Sequence, residues 1–274
     1  MRSITEMMDL SGRCALVTGG AGHVGLAAAE SLRELGAAVT ILDLDARACA
    51  ARAKQLLYSR IRGNDGRDGQ VFAQPCDLRS EPEIRRAVRS AVRKMGGLDI
   101  LVHCAAFVGT TQVDGWAVPF ERQSVKAWDG AMRVNVTSPF IMVQEARKAL
   151  AAGRRGSVIL IGSTYGIVGP DMRLYEKTSM VNPVGYGASK GGVLQLTRYL
   201  STLLAPKIRV NAISPGGIWR NQPKVFQERY ISRTPMGRMA REEDLKGAIA
   251  YLAGDLSAYV TGHNLVVDGG WTAW

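Results

Sequence analysis

A chain of 274 residues, 46% of them hydrophobic, is long enough for one large domain with a substantial core. No apolar run is long enough to span a bilayer, and Met1 to Ser11 carries Arg2, Glu6 and Asp9 with no apolar stretch of the secretory kind, so a soluble, cytoplasmic protein without a membrane partner is expected. The formal charge of +11 comes from dispersed lysines and arginines, which favours a solvated basic surface over a nucleic-acid partner and leaves attraction of an anionic substrate as the sharper reading.

Residues Arg13 to Thr18 read as a short buried strand. It runs into Gly19-Gly20-Ala21-Gly22-His23-Val24-Gly25 and then a helical pattern from Leu26 to Leu35, closed by Gly36. Gly20, Gly22 and Gly25 make Gly-x-Gly-x-x-Gly between a strand and a helix, where glycines allow a tight turn and backbone N–H groups can approach a pyrophosphate. The plainer reading is a glycine-rich turn that binds nothing. A second strand, Ala38 to Leu42, ends in Asp43, 18 residues after Gly25. A carboxylate there can accept hydrogen bonds from both ribose hydroxyls of NAD and repels the extra phosphate of NADP. NAD is therefore favoured, with Arg47 the residue able to reverse the preference. A cap for the next helix is the alternative role, though Asp45 is better placed for it.

Ala46 to about Ile61 reads as a helix, and Gly63 to Gly69 as a surface loop. Val71 to Pro75 is a third strand. Asp77, in Cys76-Asp77-Leu78, sits at its carboxyl end and suits either an adenine contact or a cap of the next turn. Glu81 to Met95 is an amphipathic helix, Leu98 to His103 a fourth strand, and Cys104-Ala105-Ala106 a small-residue turn. After an irregular stretch from Phe107 to Pro119, a long helix is expected from about Ser124 to Ala151. Asn135 lies in its apolar face, where a buried amide needs partners. The four cysteines, Cys14, Cys49, Cys76 and Cys104, lack metal-ligand spacing, so reduced thiols are expected, without disulfides or a metal site.

Gly156 to Ile161 is a fifth strand ending in Gly162-Ser163-Thr164. Gly166 to Pro183 is a connection of glycines, prolines and charges that includes Arg173 and Lys177. The helix carrying Tyr186 runs to about Leu204, and Ile208 to Ile213 is a sixth strand, followed by Ser214-Pro215-Gly216-Gly217. The stretch from there to Arg241 shows no clear strand and carries Arg220, Lys224, Arg229, Arg233 and Arg238 against Glu228 alone. Loops of this length are usually lids or disordered. Helix Glu242 to Ala253 and strand His263 to Val267 follow. Alternating strands and helices imply an α/β fold, a doubly wound parallel sheet in one domain over residues 1–274.

Tyr186-Gly187-Ala188-Ser189-Lys190 puts a hydroxyl and an ammonium on one helical face. A free phenol has a pKa of about 10, so work as a base near neutrality needs about 4 kcal/mol of preferential stabilisation of the phenolate. An adjacent lysine and a cationic cofactor ring can supply it. Alone, the spacing also fits an ordinary amphipathic helix.

Together these features resemble the short-chain dehydrogenase/reductase family, in its compact single-domain branch, over nearly the whole chain. The anchors are Thr18-Gly19 with the following glycines, Asn135-Val136, Ser163, Tyr186 with Lys190, Asn211 to Gly216, and Thr261-Gly262 through Gly270. The resemblance implies a Rossmann-like sheet of about seven strands and a division of roles. Tyr186 would exchange a proton with the substrate oxygen, and Lys190 would lower its pKa and hold the nicotinamide ribose. Ser163 would hydrogen-bond the substrate oxygen, and Asn135 would anchor a water-linked proton path. The implied cofactor surface is Gly19, Gly22, His23, Val24, Gly25, Asp43, Asp77, Leu78, Cys104, Ala105, Tyr186, Lys190, Pro215, Gly216 and Ile218. Residues 217–241 resemble the family's mobile substrate loop, and the chain end resembles a segment packed between subunits of a tetramer, so a homo-oligomer (tetramer or dimer) is expected.

Several positions depart from the family. His23 replaces a usual glycine, and the spacing of Thr18-Gly19, Gly22 and Gly25 looks more like the extended branch. His103-Cys104-Ala105-Ala106 replaces Asn-Asn-Ala-Gly, removing amides that tie the sheet together and contact the cofactor. Ser163 and Tyr186 are 23 positions apart, wider than usual, so about 166–183 carries an insertion beside the substrate. Arg220 takes the place of the usual threonine after the Pro-Gly turn. Ile167 to Lys190, with Pro215 to Ile218 and Asn221-Gln222-Pro223, is similar to a subgroup found with bacterial surface-sugar and flagellin-glycan pathways.

The expected activity is interconversion of a secondary alcohol and a ketone on a polar small molecule: a sugar phosphate, nucleotide sugar or polyol. Arg220, Lys224, Arg173 and Lys177 would contact an anionic group or simply face water. Two alternatives stand beside it: a reductase of carrier-protein-bound 3-oxoacyl groups, and a catalytically silent cofactor-binding scaffold.

Overall fold

The computed structural model describes residues 1–58, 70–153 and 156–274. After a short helix α1 (Ile4–Met8), the first half alternates β1 (Cys14–Thr18), α2 (His23–Glu34), β2 (Ala38–Asp43), α3 (Ala46–Tyr58), β3 (Val71–Pro75) and α4 (Glu81–Met95). The second half runs β4 (Ile100–His103), α5 (Val125–Met132), α6 (Ser138–Ala152), β5 (Gly156–Ile161), α7 (Val184–Leu204), β6 (Ile208–Pro215), α8 (Lys224–Ser232), α9 (Lys246–Ala253) and β7 (Asn264–Val267). The end of the expected helix past Tyr58 and the loop Gly63 to Gly69 lie outside the described residues.

The strands form one parallel sheet in the order β3-β2-β1-β4-β5-β6-β7. Side chains alternate across a strand, and this sheet is buried on both sides. Leu16, Leu101, Val158, Leu160 and Val210 pack with residues of α4, α6 and α7. Their neighbours Ala15, Val17, Ile100, Val102, Ile159 and Ile161 pack with α2, α3 and α9. Two covered faces explain why the strands read as continuous apolar runs. Truncating a buried leucine or isoleucine such as Leu101 or Ile159 to alanine costs about 2–5 kcal/mol, a large share of the ~5–15 kcal/mol that holds a domain folded. No helix among the described residues is long and apolar enough to cross a membrane.

Local chemistry sets the helix ends. Ser80 caps α4 by accepting the Glu83 N–H, Glu81 and Glu83 occupy the positive first turn, and Gly96 at φ +78° ends the helix left-handed. The long helix expected from Ser124 to Ala151 is instead α5 and α6 joined by a π-helical turn, Arg133–Thr137. Its wider turn re-aims the residues it contains, Asn135 among them. The stretch 217–241 contains α8, which no periodicity marked. Its two ends meet, with the Trp219 N–H bonded to the Ala240 carbonyl and the Ala240 N–H to the Gly217 carbonyl, 2.9 Å each. Strand order reverses at β1, where β2 and β4 flank it on opposite sides, so a crevice opens at the carboxyl ends of β1 and β4.

Candidate active site

At that crevice the β1–α2 turn presents bare backbone. Gly19 has φ +65°, and a Cβ on it would lie 2.8 Å from the Ala105 nitrogen. A Cβ on Gly25 would fall 2.0 Å from the Gly19 carbonyl oxygen. The helix starts at His23 rather than Leu26, and its N-cap, Gly22, offers no capping side chain. The first N–H groups of α2 therefore have no side-chain acceptor at the cap, as an anion site at a helix N-terminus requires. His23 is exposed and faces Glu242, Nδ1 to Oε1 at 3.6 Å. At the end of β2, Asp43 accepts the Ala21 N–H at 3.0 Å and the Leu44 N–H at 2.7 Å, which fixes its carboxylate beside the glycine turn. Asp77 is held by the Arg79 guanidinium, which lowers its pKa, and its carboxylate also accepts the Arg79 N–H as a turn cap. Leu78 is buried behind it.

His103, read as a loss of sheet-tying amides, ties the sheet itself. The Thr18 hydroxyl accepts the N–H groups of Cys104 and Ala105, both at 3.2 Å, and donates to His103 Nδ1 at 2.6 Å. Nε2–H is then left to donate to the Val134 carbonyl at 3.2 Å, in the π-helical turn. Burial pushes the imidazole pKa down to about 3, so it stays neutral and can hold both roles at once. Cys104 carries a thiol pushed up to about 12 by the same burial, and is inert as a nucleophile at neutral pH.

The chemical centre lies across the crevice. Ser163, at the end of β5, accepts the Tyr165 N–H on its Oγ at 3.1 Å, which leaves its own proton for another acceptor. Across the same cleft from that hydroxyl stands the phenol of Tyr186, in the first turn of α7. Burial holds the Tyr186 pKa above its ordinary 10, while the Ser163 hydroxyl and the Arg220 guanidinium pull it down. One turn on, Lys190 is 3% exposed; its ammonium donates to the Ile161 carbonyl at 2.7 Å and lies 5.7 Å from the Tyr186 ring centre. Burial lowers its pKa to about 8. Nζ has donors to spare for a ligand.

A cleft of about 870 Å³ gathers Val24, Cys104, Ser163, Tyr186, Lys190, Pro215, Gly216 and Ile218 from the predicted set. Gly19, Gly22, His23, Gly25, Asp43, Asp77, Leu78 and Ala105 are not among its lining residues, lying on or behind the adjoining strand ends and turns. Asn135 lies one layer back. Its Oδ1 accepts the Phe107 N–H at 2.8 Å and its Nδ2 donates to Ser189 Oγ at 2.9 Å, so the side chain bridges α7 to the loop after β4. Of the four cations weighed for anion binding, only Arg220 lines the cleft, and it is paired with Glu242 at 3.2 Å. Arg173 pairs with Asp171 and Lys224 with Glu228 on the surface, and Lys177 is exposed away from the lining. Tyr165, Tyr175, Asn182 and Tyr230 also line the cleft, and sequence reasoning passed over them.

Comparison with known proteins agrees with this fold. Residues 19–272 match the family model described as enoyl-(acyl carrier protein) reductase. The chain is 35% identical to the rhamnolipids biosynthesis 3-oxoacyl-[acyl-carrier-protein] reductase of Pseudomonas aeruginosa, covering 96% of this chain and 97% of the relative. It is 32% identical to the ribulose-forming D-arabinitol 2-dehydrogenase of Scheffersomyces stipitis, over 99% and 98%. A putative short-chain alcohol dehydrogenase from Sinorhizobium meliloti superposes with a TM-score of 0.83 at 30% identity, over 97% and 99%. Two further structures carry cofactor: the Pseudomonas aeruginosa RhlG/NADP active-site complex (TM-score 0.78, 33% identity, 97% and 98% covered) and a Leptospira borgpetersenii short chain dehydrogenase with bound NAD+ (0.80, 31%, 99% and 96%). The chain belongs to the short-chain dehydrogenase/reductase family. It is an oxidoreductase acting on CH–OH groups, interconverting alcohols and ketones.

Proposed function

We propose that this oxidoreductase uses NAD to interconvert a secondary alcohol and a ketone on a polar small molecule. The observation carrying the chemistry is the convergence of Ser163, Tyr186 and Lys190 on one cleft. What supports NAD is the Asp43 carboxylate, fixed by two backbone N–H groups where it can receive ribose hydroxyls and repel a phosphate. The bare N-terminus of α2 would hold the pyrophosphate, Pro215, Gly216 and Ile218 the nicotinamide side, and Lys190 the adjoining ribose. Bound there, the cofactor supplies the hydride acceptor or donor.

In reduction, Ser163 orients the substrate oxygen and Tyr186, kept protonated by burial, delivers its proton to it. In oxidation the phenolate takes that proton back, and cations near the phenol stabilise it. Fluorescence titration with NADH and NADPH at matched salt tests the cofactor reading. Tight NADH and weak NADPH binding is expected, and the reverse order overturns it. A second reading, reduction of 3-oxoacyl groups on an acyl carrier protein, draws on the Pseudomonas aeruginosa relative and the basic surface. Turnover of an acyl-carrier substrate in preference to free polyols would favour it. The functional unit is proposed to be a homo-oligomer, a tetramer or dimer, and a stable monomer in sedimentation would refute that.

A further inference from the structure

The segment between Ser163 and Tyr186 folds back over the cleft and places a second pair of phenols beside the first. Tyr165 and Tyr175 touch hydroxyl to hydroxyl at 2.9 Å. Both line the same cleft as Tyr186, together with Asn182. Ionised Tyr186 would oppose ionisation of either phenol, so all three share one electrostatic neighbourhood. Asn182 lies on the same wall, and its side chain favours the ionised form of Tyr175 against the effect of burial. With Tyr165 as the donor in that contact, the Tyr175 oxygen keeps its own proton for a third partner. Burial pushes the Tyr175 pKa to about 12, so that proton is present at any working pH. The ring is held by Phe226 of α8, with centroids 5.3 Å apart, so the hydroxyl is aimed rather than free to swing.

We propose that Tyr175, positioned by Tyr165 and Asn182, is a specificity-determining residue that donates a hydrogen bond to a second oxygen of the substrate, one or two carbons from the reacting one. This rests on the reading of Tyr186 as the proton-exchanging group and deepens it. The preferred substrates are vicinal or 1,3-oxygenated compounds, namely diols, polyols and hydroxyketones, over simple secondary alcohols. A water-filled polar wall would not discriminate between them, because water would satisfy Tyr175 whichever alcohol was bound. A substrate that displaces that water without replacing its hydrogen bond leaves a buried donor unpaired.

The test compares 2-pentanol with 2,3-pentanediol and 2,4-pentanediol, in wild type, Tyr175→Phe and Asn182→Ala. Two readouts are taken: kcat/KM for oxidation with NAD, and equilibrium binding of each alcohol to the protein–NADH complex by cofactor fluorescence. Tyr175→Phe removes one oxygen and keeps the ring against Phe226, and a thermal melt checks that it folds. Wild type should prefer one of the diols at least tenfold, and both variants should lose that preference. A preference unchanged by Tyr175→Phe, or a wild type that binds diol no better than 2-pentanol, overturns the proposal. Diol-selective binding without turnover of any alcohol would instead leave Tyr175 in place and refute the proposed chemistry at Tyr186.

Discussion

His103 Nδ1 lies 2.6 Å from the Thr18 hydroxyl, across neighbouring strands that place these two residues opposite each other in register. Through this contact one neutral imidazole joins β1, β4 and the π-helical turn that holds Asn135. His103→Leu would leave the buried Thr18 hydroxyl without its acceptor and the Val134 carbonyl with the Ser138 hydroxyl alone, and should cost about 1–3 kcal/mol in denaturant unfolding at pH 7.

The same residue gives a pH signature. Its pKa falls from 6.5 when exposed to about 3 in the folded chain. The unfolded chain therefore binds the extra proton between these values, and the stability from a neutral His103, full above 6.5, is lost as pH falls toward 3. The loss is at most about 1.4 kcal/mol per pH unit for one proton. The stability gap between wild type and His103→Leu should narrow from pH 7 to pH 5. A gap that stays constant would show that the imidazole is not the titrating group.

Tyr186→Phe keeps the ring and removes the proton-exchanging oxygen. Turnover should fall by about 10²–10⁴-fold, the usual worth of a positioned acid or base, while NADH affinity stays within a few-fold. Retained turnover would move the chemistry to another group.

Arg220 bears on the same phenol from the segment after β6, and its charge favours the phenolate. Arg220→Gln should therefore raise the Tyr186 pKa and shift the rising limb of the oxidation pH profile to higher pH. Reduction, which needs the protonated phenol, should keep its activity further into alkali. Superimposable profiles in both directions would confine Arg220 to its ion pair with Glu242.

Asp43→Ser tests the cofactor choice. Loss of charged hydrogen bonds to a ribose, about 1.5–3 kcal/mol, should weaken NADH by ten- to a hundredfold and narrow its advantage over NADPH. Isothermal titration with each cofactor measures both effects.

Much of this molecule could be read from its residues, and the limits have physical causes. The strands were legible because a sheet covered on both sides writes itself as apolar runs, and α4 because its caps are local. The π-helical turn was not, since the apolar pattern across Ser124 to Ala151 looks the same with or without one widened turn. Helix α8 was missed because Phe226 and Tyr230 pack on Trp271 and Tyr175, distant in sequence, and form no stripe of their own. His103 had a usable signal: it and Thr18 each end a strand next to the other. The partners of the basic residues after Gly217 were not legible for a different reason. Arg229, Arg233 and Arg238 are taken by the Arg173 and Glu176 carbonyls, by Asp171 and by Asp244, and such pairings depend on contacts between segments.

Tyr230 lies between Phe226 and Trp271, stacked on both, and its hydroxyl accepts the Gly217 N–H at 2.5 Å. One wall of the cleft thus depends on two stretches of chain, distant in sequence, that exchange of either one alone would not carry together. Transplanting residues 217–241 into a relative without a ring at the position of Trp271 would import a helix with nothing to lean on. Swaps of substrate preference between family members should succeed only when the tail travels with the loop.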